Sequence, residues 1–152
     1  VVAVSVSASK GVKKDNVSSA VLLVDWGIEG DAHAGNGHRQ VCLLAMESID
    51  RMRALGAQVS PGVFAENITT AGCDLSNIAI GDKLQIGEVE LIVTQLGKEC
   101  HSRCAIFEAV GDCVMPREGV FAVVERGGTI RPGDSVALTS SLAAFNPPDN
   151  AR

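Results

Sequence analysis

Glycine punctuates this chain at intervals that leave room for strands and little else. The 16 glycines fall between short apolar runs, several of which alternate apolar and polar residues at the two-residue period of a half-buried strand. Val1 to Ser7 alternates Val with Ala and Ser, and Val17 to Val24 and Val41 to Leu44 are apolar stretches of strand length. Ile80-Gly81-Asp82 opens a hairpin in which Leu84 and Ile86 lead into a strand from Glu88 to Gln95, with Val89, Leu91 and Val93 on one face. Gly119 to Glu125 is apolar on both faces, as expected of a central strand, and Gly127-Gly128 turns it back toward a last strand, Asp134 to Thr139. Met46 to Leu55 is the clearest helix: Met46, Ile49, Met52 and Leu55 form its buried face, Glu47 and Arg51 pair one turn apart, and Gly56 stops it. Ser102 as an N-cap predicts another helix over Arg103 to Val110, closed by Gly111. About eight short strands and two or three short helices make a mainly β fold, and a closed or nearly closed β-barrel is the expected architecture for residues 1–139. Trp26 is placed to cover one end of its core. Residues 140–152, small, polar and holding Pro147-Pro148, read as a loosely ordered tail.

At 152 residues the chain fits one domain with a core of its own. A net charge of -5, one Trp, four Phe and no Tyr exclude a nucleic-acid binder, which needs basic surface and stacking rings. No apolar run approaches the roughly 20 residues of a membrane span. An odd count of five cysteines at irregular spacing, with no charged-then-apolar leader, points to free or functional thiols in a reducing cytoplasm.

Three of those cysteines gather after the Glu88 strand, in Lys98-Glu99-Cys100-His101-Ser102-Arg103-Cys104 and at Cys113, shortly before Met115-Pro116-Arg117. Cys100 lies past a strand end, ahead of a predicted helix N-terminus and beside Lys98 and Arg103, all of which favour the thiolate. Cys104 is either a resolving thiol, a second ligand or a packed hydrophobe. Cys100, His101, Cys104 and Cys113 also leave a zinc set open. Cys42 and Cys73 read as structural. A second polar concentration, Gly27-Ile28-Glu29-Gly30-Asp31-Ala32-His33-Ala34-Gly35-Asn36-Gly37-His38-Arg39-Gln40, is able to fold tightly around something because glycine permits close backbone approach. Asp31, His33 and His38 are either metal ligands or parts of a hydrogen-bonded loop or substrate-site wall. Lys10 to Asn16 reads as a solvated basic loop. Asn67, beside Ile68, is unfavourable in a strand unless its amide is used, either to brace a loop or to face a ligand.

Taken jointly and in order, Gly27-Ile28-Glu29-Gly30-Asp31-Ala32-His33-Ala34-Gly35, Arg39-Gln40-Val41, Pro61-Gly62-Val63-Phe64-Ala65-Glu66-Asn67-Ile68-Thr69, Ile80-Gly81-Asp82, Thr94-Gln95 with Cys100, and Arg131-Pro132-Gly133-Asp134 resemble the MOSC family, the C-terminal domain of molybdenum cofactor sulfurases. The likeness runs from about Val2 to Leu138. It implies a β-barrel and a cysteine, here Cys100, that carries sulfur or ligates molybdenum. In larger members the domain follows a pyridoxal-phosphate cysteine desulfurase or helps to hold the molybdopterin cofactor. This chain is too short for a desulfurase domain, so sulfur would come from a partner cysteine desulfurase or another donor, and pyridoxal phosphate is not expected here. The acceptor would be a molybdoenzyme or a cofactor-synthesis protein. On this reading Lys98, Arg103, Arg117 and Arg39 are the candidates for the phosphate of a pterin cofactor, and His33 and Asn67 are expected to meet Cys100 across one cleft. Two functions follow: a molybdenum-cofactor-related protein that transfers sulfur or ligates molybdenum through Cys100, or a non-catalytic metal- or pterin-binding carrier.

Overall fold

The computed structural model describes residues 1–98, 111 and 113–139. Cys100, His101, Arg103 and Cys104, the expected helix over Arg103 to Val110 and the expected tail all lie outside the described residues, so the cleft joining His33 and Asn67 to Cys100 does too. The strands are β1 (Ala3–Val6), β2 (Asp15–Val17), β3 (Ala20–Leu23), β4 (Gly27–Ile28), β5 (Val41–Ala45), β6 (Ile68–Thr70), β7 (Lys83–Ile86), β8 (Val89–Leu96), β9 (Val120–Arg126), β10 (Gly128–Ile130) and β11 (Val136–Thr139). Helices α1 (Met46–Ala54) and α2 (Met115–Glu118) and a 3-10 turn at Leu75–Asn77 complete the described elements.

The fold is mainly β, but the sheets are not closed into a barrel. One sheet runs β11-β7-β8-β9-β5-β6-β1-β2, and a smaller one runs β10-β3-β4. Its end strands β11 and β2 do not pair with each other. Alternation along a strand tells which residues share a face; it carries no information on whether the first and last strands meet, and here they do not. The expected hairpin forms between β7 and β8, with Leu84 opposite Leu91 and Ile86 opposite Val89. β9 lies between β8 and β5, as its two apolar faces require.

Period-two alternation also explains why there are two apolar clusters. Val41 and Leu43 of β5 join Val120, Ala122 and Val124 of β9 and Leu91 and Val93 of β8 in the first. The small sheet adds Ala20, Leu22, Ile28 and Ile130 to it. Cys42 and Leu44 point the other way, onto Ile49 and Met52 of α1, Phe64, Met115 and Phe121. Cys42 is thus a packed thiol, and burial pushes its pKa far above the ordinary range. Helix α1 differs from expectation at its end. Leu55 is the C-cap and 82% exposed, while Ser48 is buried in its stead. A ninth-residue stop leaves Leu55 past the last helical turn, where its side chain no longer follows the helical stripe. Glu47 accepts from the backbone N–H of Gly72 rather than pairing with Arg51, which pairs with Glu118. Trp26 does not cap the core: it is 43% exposed, as Val21 and Leu23 of β3 also are at 40% and 41%.

The segment between α1 and β6 is built around two fully buried polar side chains. Ser60-Pro61-Gly62-Val63 turns with Gly62 at φ 95, and an added Cβ there would lie 2.4 Å from the Lys14 carbonyl oxygen. The Gly62 N–H and the Thr69 hydroxyl donate to Glu66 Oε1, whereas Glu66 Oε2 has no partner. Burial, opposed by those hydrogen bonds, pushes the Glu66 carboxyl up to about 7. Because this folded value exceeds the unfolded one of about 4.3, the associated stability is whole below about pH 4 and is lost as pH rises through about 7. A gap of this size corresponds to about 4 kcal/mol. Glu66→Gln is expected to flatten that decline and to be at least as stable as the parent at about pH 8 in urea unfolding. An unchanged slope between about pH 5 and about pH 7 would assign the titration to another group.

Candidate functional site

Asn67 uses all four of its hydrogen-bonding groups to join strands that are remote in sequence. Its N–H donates to the Cys42 carbonyl (2.8 Å) and its carbonyl accepts from the Ser5 N–H (2.7 Å). Its side-chain Oδ1 accepts from the Cys42 N–H (3.0 Å) and Nδ2 donates to the Ser5 carbonyl (3.1 Å). The amide therefore braces β1 against β5, with both its oxygen and its nitrogen engaged.

The glycine-rich loop between β4 and β5 is held from below by Asp31. This buried carboxylate accepts from Lys14 Nζ (2.7 Å), the Ser7 N–H (3.0 Å) and the His33 N–H (3.0 Å). His33 Nδ1 stands 3.5 Å from Asp31 Oδ2, at the limit of a hydrogen bond. Burial works to raise the Asp31 pKa, yet bonds from His33 and Lys14 outweigh it and hold the carboxyl well below the usual carboxylate range. Lys14 is itself buried, so the basic loop expected to be solvated has one lysine facing inward. Among the described residues no three His, Cys, Asp or Glu side chains gather as a metal set: Asp31 is engaged by Lys14, and His38 Nε2 by Gln95 Oε1.

The far end of the same loop is clasped to β8. A bulge between Val93 and Gln95 puts Thr94 out of register, and its hydroxyl donates to the His38 carbonyl. His38 Nε2 lies 2.6 Å from Gln95 Oε1. Bulges commonly re-aim a side chain in this way at a strand's end. Beyond it, Gly97 adopts φ 66 and packs so closely on α2 that an added Cβ would lie 2.3 Å from the Pro116 carbonyl oxygen. The Lys98 N–H donates to that same carbonyl (3.2 Å), which fixes the lysine as the chain leaves the sheet.

These constraints bring His33, Arg39 and Lys98 to one cavity of about 450 Å³, which Lys10 and His38 also line, with backbone from Gly11, Gly35 and Gly37. Among the described residues no acidic side chain lines it. Arg39 is steadied by its guanidinium, 5.8 Å from the centroid of the buried Phe121 ring. Arg117 lies elsewhere, in a second cavity of about 490 Å³ shared with Arg51, Glu47, Asp74 and Glu118. His33, Arg39 and Lys98, expected from the sequence to serve one site, do line one cavity; Lys10, which had only a lysine-rich turn as its signal, was not expected there. Nor was the Lys14–Asp31 pair, whose partners approach only when β1 and β2 are paired.

The chain is thus a mainly β protein with a cavity at the end of β8 lined by Lys10, Arg39 and Lys98. The model of the MOSC domain matches residues 29–137, and the chain belongs to that family, which is associated with molybdenum-cofactor-related proteins. An uncharacterised protein of Bacillus subtilis, YflK, is 28% identical over 141 residues, covering 86% of this chain. The chain spans 63% of that relative's length. Among solved structures, YuaD from Bacillus subtilis superposes with a TM-score of 0.76 at 17% identity, covering 91% of this chain and 94% of that one. YiiM from Escherichia coli gives 0.66 at 22% identity, covering 91% and 68%. Both likenesses are of fold.

Proposed function

We propose that the chain binds a molybdenum cofactor, or receives sulfur destined for one, using the basic cavity as the anchor for an anionic group and Cys100 as the thiolate. The observation that carries this reading is the cavity's charge: Lys10, Arg39 and Lys98 line it, with no acidic side chain beside them among the described residues, in a chain of net charge -5. That donor set fits the phosphate of a molybdopterin, Arg as a fork and Lys as a point charge. Cys100 follows Lys98 by two positions, and a soft thiolate suits molybdenum or persulfide sulfur. When bound, the cofactor would supply the redox and oxygen- or sulfur-transfer chemistry. The protein's own residues bind the phosphate, orient the loop through Asp31 and keep the strand end fixed through Gly97. Sulfur would be supplied by a cysteine desulfurase or another donor and passed to a molybdoenzyme or cofactor-synthesis partner in a reducing cytoplasm.

Protein purified anaerobically from a host with an intact cofactor pathway is expected to retain pterin and molybdenum. Arg39→Ala with Lys98→Ala should lose the pterin, and Cys100→Ser should lose the metal or sulfur. Absence of both from the parent protein would overturn the reading. Release of sulfide when an added dithiol reductant, itself oxidised to its disulfide, reduces the desulfurase-charged protein would favour a transferase over a carrier.

A further inference from the structure

The turn between α1 and β6 delivers to the core an ionisable side chain that the proposed function does not use. We infer that Glu66 is a positioning residue that works as a proton-controlled latch: protonated, it holds the Gly62 turn against Lys14 at the start of β2, and on ionising it releases that turn and with it the cavity wall that Lys14 and Asp31 pin. The consequence for a bound ligand rests on the proposed function; the latch itself does not.

Three observations converge on it. Glu66 is wholly shielded from water, and among the described residues both of its side-chain donors, the Gly62 N–H and the Thr69 hydroxyl, go to Oε1 while Oε2 has none. The ionised form suffers most from this arrangement, because half of its charge is left in the core without a donor. Ala65, the residue before it, is buried at φ 64, a left-handed conformation that a residue with a Cβ resists. Backbone strain of this kind gathers where a side chain must be held in one place. Finally, an unbroken run of hydrogen bonds leads from the carboxyl to the cavity. The Gly62 carbonyl accepts from the Lys14 N–H (2.8 Å) and the Ala65 N–H (3.0 Å). Lys14 Nζ donates to Asp31, which also accepts from the N–H groups of Ser7 and His33, and His33 lines the cavity.

The ionisable groups around Glu66 are few. From β5 comes Cys42, whose thiol is pushed up by burial and then by the Glu66 charge, and on which Lys98, Lys14 and Asp31 also act. Helix α1 adds only the apolar Ile49 and Met52 to the cluster that holds Phe64 and Ala65. Relief for the ionised carboxyl lies outward, since Ser60 is exposed and Pro61 and Val63 are half-buried. Movement of the turn toward water breaks the bond between Gly62 and Lys14. In the released turn Glu66 titrates near its ordinary value of about 4.3 and in the closed one at about 7. Release therefore grows about tenfold per pH unit between those values and levels off above the upper one.

The test is amide hydrogen exchange in the full chain without added ligand, followed by NMR from about pH 5 to about pH 8 and corrected for the intrinsic exchange rate. Protection of the Gly62, Lys14, Ser7 and His33 amides is expected to fall about tenfold per pH unit up to about pH 6.5 and to level off above about pH 7, while amides of the β7–β8 hairpin hold steady. Glu66→Gln should remove the pH dependence. Thr69→Val, which takes away one of the two donors to the carboxylate, should carry the levelling to higher pH, and it decides the matter where Glu66→Gln does not fold. The latch is overturned if protection in the parent does not change with pH, if Glu66→Gln keeps the same decline, or if Thr69→Val leaves the levelling in place. It is overturned equally if Gly62 and Lys14 respond while Ser7 and His33 do not, because the titration then stops at the turn. A decline shared by the hairpin amides would mean general loss of stability and no latch. Because no ligand enters this measurement, its outcome bears on the latch alone, and pterin content bears on the proposed function.

Discussion

Asn67→Ala is expected to destabilise the domain by about 3–5 kcal/mol, because it removes two hydrogen bonds and strands both of the backbone groups they satisfied. The Cys42 N–H and the Ser5 carbonyl lose their side-chain partner in a place where Asn67 is wholly shielded from water. Each buried orphan costs about 1–3 kcal/mol, so the midpoint of thermal unfolding should fall by about 10 °C. Asn67→Asp separates hydrogen bonding from volume. Its carboxylate would still accept from Cys42 but would face the Ser5 carbonyl with a second acceptor, so it should also destabilise and should partly recover in acid, where a protonated oxygen can donate. A loss under about 1 kcal/mol for the alanine variant would mean that water replaces the amide, contrary to the brace described above.

Lys14→Ala should have an effect of similar size, about 3–5 kcal/mol, through a different cause. It leaves the buried Asp31 carboxylate without its 2.7 Å ammonium partner, and an uncompensated buried charge costs far more than an intact pair contributes. Asp31→Asn added to Lys14→Ala removes the stranded charge and should recover part of the loss. Additive losses in that double-mutant cycle would show that the two side chains are not coupled. The pH dependence has a fixed sign. The folded Asp31 carboxyl titrates below its unfolded value of about 3.9, so its contribution is complete above about pH 4 and is lost as pH falls through the folded value. In Lys14→Ala the acid limb of the stability curve should therefore shift upward in pH. Urea midpoints across the acid range measure it directly.

Much of the strand content was legible because alternation is a local property. Val89, Leu91 and Val93 declare their face to anyone reading the sequence, and Cys42 declares its burial through apolar company. The polarity of Asn67 beside Ile68 likewise marked it as a residue whose amide must be used, although not for what. What stayed hidden was set by contacts between distant segments. Lys14 and Asp31 are ordinary loop residues until β1 pairs with β2 and brings them together. Leu55 fits the helical stripe by spacing, yet the helix ends one residue earlier. Trp26 was placed inside on hydrophobicity, but it follows β3, where Val21 and Leu23 are also exposed. Barrel closure failed for the same reason: it concerns β2 and β11, the sheet's two outer strands, and nothing in either strand's own pattern speaks of the other.

The place of β1 in the sheet bears on how the molecule reaches its working form. This first strand pairs with β6, Val4 opposite Ile68, so most of a long loop must close, at an entropic cost, before that ladder exists. Topologies dominated by such remote pairings fold slowly, on the order of milliseconds to seconds. Ser7, just past β1, is one of the groups held by Asp31, so the wall carrying Lys10 is set only when β1 docks. The cavity is then a late product of folding, complete only once β1 has docked. On the proposed function, a ligand bound there would stabilise the whole domain by mass action rather than one loop. A cell short of that ligand would hold a population of this protein that opens more often, and protease turnover would rise with it.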